Sequence, residues 1–157
     1  MAQTLQVGSR APDVALDDAT GARLQLASLW AQKPLVLFFY PKNGTFGCTQ
    51  EVCAFRDQYA DFVAAGCQVV GISGDSVASH QAFAQRHGLA YPLLSDPEGV
   101  ARASFGVTRT LGLLPGRVTF VIDGAGVVRH VFDGQFNIRG HIEQALQVVR
   151  QLQAERP

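Results

Sequence analysis

The chain has 157 residues, 47% of them hydrophobic and 17% charged, and its 13 basic and 13 acidic side chains cancel. This composition excludes a disordered protein, and the length predicts one domain over residues 1–157 with a core of its own. The basic residues are scattered and no apolar run reaches the ~20 residues of a membrane span, so neither a nucleic acid nor a membrane is expected as a partner.

The first predicted elements form a hairpin. Residues 17–21, Asp-Asp-Ala-Thr-Gly, lie between two short alternating stretches, a pattern typical of two strands joined by a turn. Three later segments are apolar almost throughout: residues 35–40, residues 69–72 and Val118–Ile122. Such segments are typical of strands that are covered on both faces, so we expect them in the centre of one sheet.

Helices are predicted between and after these strands, because apolar residues recur there at helical spacing. In the first, the apolar pattern extends over residues 52–63 and Gly66 is placed to end the helix. The second runs over about residues 77–86 with Ala82 and Phe83 inward. Asp96 caps a short third helix, and an amphipathic helix closes the chain. A second hairpin joins Val118–Ile122 to residues 127–132 and makes the sheet mixed. Strands that alternate with helices indicate an α/β fold.

Cys48 has the position of a reactive cysteine. It falls in the first turn of the first helix, after a buried strand and a loop that contains Pro41 and two glycines. Unpaired backbone N–H groups and the positive end of the helix dipole favour a thiolate there over a thiol. A free cysteine is usually a small core residue, but this placement predicts a nucleophile.

Two further cysteines lie downstream of Cys48. Cys53 follows five residues later, and in a helix such Cα atoms are ~8.6 Å apart, beyond the ~7 Å that a disulfide spans. A bond between them therefore requires the first turns to unwind. On spacing alone, Cys53 is equally well a core residue, and Cys67, beside a buried strand, is expected to be one.

The sequence indicates neither a metal nor another cofactor. Cys48 and Cys53 provide at most half of a metal site, and the four histidines are dispersed. His80 and His87, two turns apart on one predicted helix, indicate a solvated face. No glycine-rich nucleotide motif is present. The N-terminus has no secretion signal and three cysteines are too few for a disulfide scaffold, so a cytoplasmic protein is expected.

The pattern Pro41-x3-Thr45-x2-Cys48 directly after an apolar strand resembles the active-site motif of the peroxiredoxins. Cys53 resembles the second cysteine of their Q subfamily, the bacterioferritin comigratory proteins, and the similarity extends over nearly the whole chain. The resemblance implies a thioredoxin-like fold, with a central mixed sheet flanked by helices and an N-terminal hairpin extension. It also implies thiol-dependent reduction of hydrogen peroxide and organic hydroperoxides.

The resemblance implies a role for each matching residue. Cys48 is the peroxidatic cysteine, which becomes a sulfenic acid, and Cys53 is the resolving cysteine, which forms a disulfide with it. The Thr45 hydroxyl holds the peroxide, because it both donates and accepts hydrogen bonds. Arg117 brings a permanent planar charge to the thiolate. Pro41, which has no N–H, shapes and shields the loop.

One further residue, Glu51, and two departures from the family pattern bear on this assignment. Glu51 is a candidate to orient the arginine, and the alternative is an exposed glutamate favoured by the helix dipole. Phe46 stands where the Q subfamily often has proline, and residues 108–116 form a shorter stretch than in many relatives. Another variant of the family carries its resolving cysteine on the next helix, near Ala84, where this chain has none.

The resemblance implies thioredoxin or a similar dithiol as the reductant, and a monomer. Two alternatives stay open. One is a one-cysteine peroxidase that uses a small thiol, with Cys53 structural. The other is a redox sensor that relays the oxidation of Cys48 to a partner protein.

Overall fold

A computed structural model describes residues 4–107 and 115–155, and these form a mixed sheet between two layers of helices. The strands are β1 (Ala15–Asp18), β2 (Arg23–Gln25), β3 (Leu35–Phe39), β4 (Gln68–Ser73), β5 (Leu93–Ser95), β6 (Val118–Ile122) and β7 (Val128–Asp133). The helices are α1 (Leu26–Trp30), α2 (Phe46–Asp57), α3 (Tyr59–Ala64), α4 (Val77–His87), α5 (Val100–Ser104) and α6 (Ile138–Glu155). Over these ranges no helix has both the length and the apolarity needed to cross a bilayer.

The sheet has the order β2-β1-β5-β4-β3-β6-β7. β3, β4 and β5 are parallel neighbours, whereas β1, β2, β6 and β7 pair with antiparallel neighbours, which confirms the predicted mixed sheet. Alternate residues of β3 face opposite cores: Val36 and Phe38 contact the layer of α2, α3, α4 and α6, and Leu37 contacts the layer of α1 and α5. Burial on both faces is why β3 is apolar at every position.

The N-terminal hairpin forms where it is predicted. β1 and β2 are antiparallel, and the Asp18 carboxylate accepts hydrogen bonds from the backbone N–H groups of Thr20 and Ala22, which closes the turn. β1 also pairs with β5, so the hairpin continues the edge of the central sheet.

The predicted helix over residues 52–63 is wrong as a continuous element. The chain leaves the helix at Gln58 (φ −96°, ψ 4°), and α3 begins at the next residue. The break allows the Phe62 ring to pack on Phe55 at 5.7 Å, while Val63, on the predicted inner stripe, is 46% exposed. Tertiary packing therefore outweighs the helical periodicity of the sequence.

The predicted faces of α4 also need correction. Ser76 caps the helix and Gly88 ends it in the left-handed region, but Ala82 is exposed and His80 is fully buried. His80 faces the sheet because its Nε2 donates a hydrogen bond to the Leu94 carbonyl at 3.0 Å. A sequence pattern does not show such a partner. Most of the short stretch of residues 108–116 lies outside the described residues.

Candidate active site

A loop connects strand β3 to helix α2, which carries Cys48. Thr45 is the N-cap of α2 in an extended conformation, and Cys48 lies in the first turn, as predicted. The side chain of Cys48 is only 1% exposed, and its Sγ lies 3.5 Å from the backbone N–H of Lys42. The thiol therefore sits beside a backbone donor at the positive end of a helix, where a thiolate is stabilised.

Arg117 reaches Cys48 from the neighbouring strand. It immediately precedes β6, whose first residue, Val118, pairs with Phe39 at the end of β3. Arg117 is buried, and its Nη2 donates to the Cys48 Sγ at 3.2 Å. Its Nε donates to the Gln135 carbonyl at 3.1 Å, which fixes the plane of the guanidinium. The antiparallel pairing thus brings together residues 69 positions apart in the sequence.

Glu51 holds the other side of the guanidinium. Arg117 Nη1 donates to Glu51 Oε1 at 2.8 Å, and the carboxyl group is fully buried, so the alternative of an exposed glutamate is wrong. Burial raises the pKa of Glu51 to about 7, against the opposing effect of Arg117. Burial lowers the pKa of Arg117, but the charges of Glu51 and Cys48 raise it further than burial lowers it.

His141 faces the free oxygen of this carboxyl group. Glu51 Oε2 accepts no hydrogen bond within the described part of the chain, and it lies 3.6 Å from His141 Nδ1. His141 Nε2 is 2.7 Å from the Gly134 carbonyl, and Nδ1 is 2.7 Å from the Thr119 hydroxyl. Burial lowers the pKa of His141 to about 4, so a neutral ring donates to Gly134 and accepts from Thr119. Sequence reasoning missed His141, whose only signal is a polar residue on the inner stripe of α6.

An open cavity of about 420 Å³ leads to Cys48. It is lined by residues from the loop, from the start of α2 and from the segment after β7: Pro41, Thr45, Phe46, Gly47, Cys48, Gln50, Arg117, Gln135, Phe136 and Ile138. The Thr45 hydroxyl donates to the Lys42 carbonyl at 3.0 Å, which leaves its oxygen free to accept a hydrogen bond. Phe46 and Phe136 are 81% and 91% exposed, and sequence reasoning missed the second.

A buried hydrogen-bond network supports the loop from below. The Tyr40 hydroxyl donates to the Asn43 side chain at 2.6 Å, and the Asn43 backbone N–H donates to Asp75 at 2.8 Å. Asn43 Nδ2 lies 2.9 Å from His80 Nδ1. Burial lowers the pKa of His80 despite the charge of Asp75, which matches a neutral ring that accepts from Asn43. The loop between β3 and α2 is therefore anchored on β4 and α4.

Cys53 lies on another face of α2. Five helical residues rotate a side chain by about 140°, so Cys53 points away from Arg117. It is half-buried, its Sγ lies 3.6 Å from His87 Nδ1, and it lines a cavity of about 600 Å³ between α2 and α6. None of the three cysteines, all of which the structure describes, belongs to a disulfide.

Cys67 behaves as the predicted core residue, since it is buried and donates to the Phe62 carbonyl at 3.3 Å.

The described ranges contain no cluster of three or more histidine, cysteine or carboxylate side chains placed to bind a metal. The cavity that leads to Cys48 brings together one thiol, one guanidinium and the Thr45 hydroxyl.

The comparisons with known proteins agree with this site. Residues 7–131 match the model of the AhpC/TSA family. A chloroplastic peroxiredoxin Q of Triticum aestivum is 44% identical over 146 residues, which cover 92% of this chain and 67% of that protein.

Solved structures agree over nearly the whole fold. Peroxidoxin BcpB from Mycobacterium tuberculosis superposes with a TM-score of 0.88 and 40% identity, covering 98% of this chain and 99% of that one. A Xanthomonas campestris peroxiredoxin Q gives a TM-score of 0.84 and 29% identity, covering 96% and 98%. These matches confirm the predicted thioredoxin-like fold. The chain therefore belongs to the AhpC/TSA family and is a thiol peroxidase of the peroxiredoxin Q type.

Proposed function

We propose that this enzyme reduces hydrogen peroxide and organic hydroperoxides through Cys48. The observation that carries the proposal is the buried guanidinium of Arg117, 3.2 Å from the Cys48 sulfur, in a cavity that opens to solvent. The thiolate of Cys48 attacks the terminal peroxide oxygen, the O–O bond breaks, and the leaving oxygen takes a proton to depart as water or an alcohol. Cys48 is left as a sulfenic acid.

Thr45 and Arg117 hold the peroxide in line for this attack. The Thr45 oxygen accepts a hydrogen bond from the peroxide, since its own proton is engaged with the Lys42 carbonyl. Arg117 stabilises the negative charge that moves from sulfur to the leaving oxygen. Pro41 lines the same cavity without adding a competing N–H donor.

The cavity favours organic hydroperoxides as well as hydrogen peroxide. Phe46, Phe136 and Ile138 line it together, and the two aromatic rings are largely exposed at its mouth. An alkyl or aryl tail that contacts these rings leaves water along with them, and each buried CH₂ group contributes about 0.8 kcal/mol. The phenylalanine at position 46 therefore supplies part of the substrate surface.

Cys53 resolves the sulfenic acid by forming a disulfide with Cys48. Because both belong to α2, the first turns of the helix must open before the two sulfurs meet. Two features favour this opening: the N-cap Thr45 makes no side-chain capping bond, and Phe46 projects into solvent. The second half of α2 is held in place, since the Tyr91 hydroxyl donates to the Val52 carbonyl at 2.6 Å.

We propose thioredoxin or a similar dithiol as the reductant of this disulfide, and a monomeric, cytoplasmic enzyme of one domain. Reduction follows thiol–disulfide exchange, in which a thiolate of the reductant attacks one of the two sulfurs. The unwound segment then carries the disulfide at the surface, where another protein can reach it.

The test is NADPH oxidation coupled through thioredoxin reductase and thioredoxin, with peroxide in excess. Sustained turnover is expected for the wild type and for Cys67→Ser, the matched cysteine control. Cys53→Ser is expected to consume one equivalent of peroxide and then stop. Full turnover by Cys53→Ser would reject its resolving role and favour the one-cysteine peroxidase, and a single stoichiometric burst by the wild type would favour the redox sensor.

A further inference from the structure

We propose that His87 is the base that takes the proton from Cys53 when the disulfide forms. The two side chains come from different helices, α2 and α4, and Cys53 Sγ lies 3.6 Å from His87 Nδ1. A thiol must lose its proton to act as a nucleophile, and a neutral imidazole within hydrogen-bond reach accepts it. The inference rests on the proposed function, because it assigns a step only if Cys53 resolves the sulfenic acid.

Two contacts hold His87 in this position, one through its ring and one through its main chain. The His87 ring packs edge-on against Phe83 with centroids 4.5 Å apart, and Phe83 itself is buried in the core. The His87 carbonyl accepts a hydrogen bond from Arg56 Nη1 at 2.8 Å, which ties the end of α4 to α2. His87 is therefore held at Cys53 by contacts on both helices.

The charges around the pair keep His87 neutral. Burial lowers the pKa of His87, and the positive charges of Arg86 and Arg56 lower it further, so its lone pair is available at pH 7. Tyr91, which lies near enough to feel the charge of Cys53, donates the hydrogen bond of its hydroxyl to the Val52 carbonyl. The cavity next to Cys53 also carries Asp57 of α2 and Arg139 and Glu143 of α6.

The step balances in atoms and electrons. The S–H bond of Cys53 breaks and its proton moves to His87 Nδ1. The sulfur electron pair then forms the bond to the Cys48 sulfur, and the S–O bond of the sulfenic acid breaks. The leaving hydroxide takes one proton to become water, and His87 releases the proton that it accepted, so one disulfide and one water form without an external reductant.

The contact between Cys53 and His87 is expected to persist when the first turn of α2 opens. Cys53 follows Val52, which is fully buried and held by Tyr91, and it precedes Phe55, which stacks on Phe38 at 4.3 Å. The segment that must move is the first turn, in which Phe46 is exposed and Cys48 is buried, and its opening carries Cys48 towards Cys53. The base accordingly stays with the resolving thiol while the sulfenic acid approaches.

The experiment measures disulfide formation after one equivalent of peroxide, by rapid quenching with an alkylating reagent and mass spectrometry, from pH 6 to pH 9. The variants are His87→Asn and His87→Gln, with His130→Asn on β7 as the matched histidine control. We expect both His87 variants to form the disulfide about tenfold or more slowly at pH 7, with most of the rate recovered at pH 9. At pH 9 a thiol ionises without a base, since its ordinary pKa is about 8.5.

A second measurement separates this inference from the proposed function. Formation of the sulfenic acid, followed in the Cys53→Ser background, should be equally fast with and without His87. A wild-type rate of disulfide formation in the His87 variants, or a loss of rate that is the same at every pH, would overturn the role of His87 and leave that of Cys53 standing. Full turnover by Cys53→Ser would instead overturn the proposed function itself.

Discussion

Two thiols five residues apart on α2 have opposite surroundings. Cys48 faces inward, is 1% exposed and contacts the permanent charge of Arg117. Cys53 is half-buried on another face of the helix and contacts the neutral, titratable ring of His87. One helix thus provides two electrostatic environments, because its side chains project in different directions at successive turns.

The difference matches what each thiol must do in the proposed cycle. The peroxidatic thiolate must be present before a peroxide arrives, so a fixed cation and fixed backbone donors suit it. The resolving thiol must react only after the helix has opened, so a neutral base that accepts a proton on demand suits it better. In the proposed cycle, one helix thus carries a thiol activated by charge and a thiol activated by proton transfer.

The largest effect is expected from a substitution that disrupts the surroundings of Cys48. Arg117→Lys keeps a positive charge but loses the planar fork that binds Cys48 and Glu51 together. We expect the second-order rate with peroxide to fall by about 10³-fold, measured under single-turnover conditions. Arg129→Lys, at the exposed pairs with Asp123 and Glu155, is the matched control and should retain the wild-type rate. A retained rate in Arg117→Lys would mean that charge alone activates Cys48.

The next largest effect is expected when the Thr45 hydroxyl is removed and the charge of Arg117 is kept. Thr45→Val should slow peroxide reduction by about 10²-fold, because the peroxide loses one preorganised hydrogen bond. The melting temperature should stay near that of the wild type, since Thr45 is exposed, makes no side-chain cap and loses only an exposed hydrogen bond to the Lys42 carbonyl. Thr45→Ser should recover most of the rate, and Thr49→Val, one turn further along α2, serves as the control. If Thr45→Val reduced peroxide at the wild-type rate, Thr45 would be a turn residue only.

The buried groups behind Arg117 should give stability a distinctive pH dependence. Glu51 has a pKa raised from 4.5 to about 7, so its contribution to stability is complete below pH 4.5 and is lost as the pH rises through 7. His141 has a pKa lowered from 6.5 to about 4, so its contribution is present above pH 6.5 and is lost as the pH falls through 4. In the wild type the two trends oppose each other between these limits.

Single variants should separate the two trends. Relative to the wild type, Glu51→Gln should become more stable as the pH rises from 4.5 to 7, because the loss due to the carboxyl group is removed. Over the same range His141→Gln should become less stable relative to the wild type, because the gain due to the imidazole is removed. Thermal melting at matched ionic strength checks both predictions. If the difference in melting temperature from the wild type changed with pH in the same direction for both variants, the assigned pKa shifts would be contradicted.

The sequence predicts the scaffold well because its strands are covered on both faces. Continuous apolar segments such as Leu35–Phe39 and Val118–Ile122 have no other stable place in a protein of this size, and both lie in the centre of the sheet. The placement of Cys48 follows from the same reasoning, since a helix that starts after a buried strand carries its first turn at the edge of the sheet. The role of Arg117 is predicted from the family resemblance and not from its neighbours in sequence.

Other features depend on partners that sequence periodicity does not show. His80 is buried because the Leu94 carbonyl and Asn43 satisfy its ring nitrogens, and these residues come from separate segments of the chain. The break at Gln58 depends on how Phe62 packs against Phe55. The guanidinium of Arg117 is oriented by a main-chain carbonyl, that of Gln135, and any residue type there would supply one.

The smallest effect is expected from a substitution at Gly47, which acts both on the surroundings of Cys48 and on the reaction of Cys53. Gly47 lies in the first turn of α2, and a Cβ there would lie 3.3 Å from Arg117 Nη2, closer than an ordinary van der Waals contact. Alanine also favours a helix over glycine by about 1 kcal/mol, which opposes the opening of the first turn. Gly47→Ala should therefore slow both reactions by roughly two- to fivefold, peroxide reduction because the guanidinium shifts, and disulfide formation because the helix holds.

Rapid quenching with peroxide as the only oxidant resolves the two phases of this variant, and its melting temperature should be equal to or above that of the wild type. Gly44, in the loop at φ +84° with open space around it, provides the contrast. Gly44→Ala strains the backbone and should lower the melting temperature without a direct contact to Arg117. A Gly47→Ala variant that slowed only disulfide formation would show that the guanidinium adjusts freely. In that case the inward environment would be less rigid than the comparison of the two thiols requires.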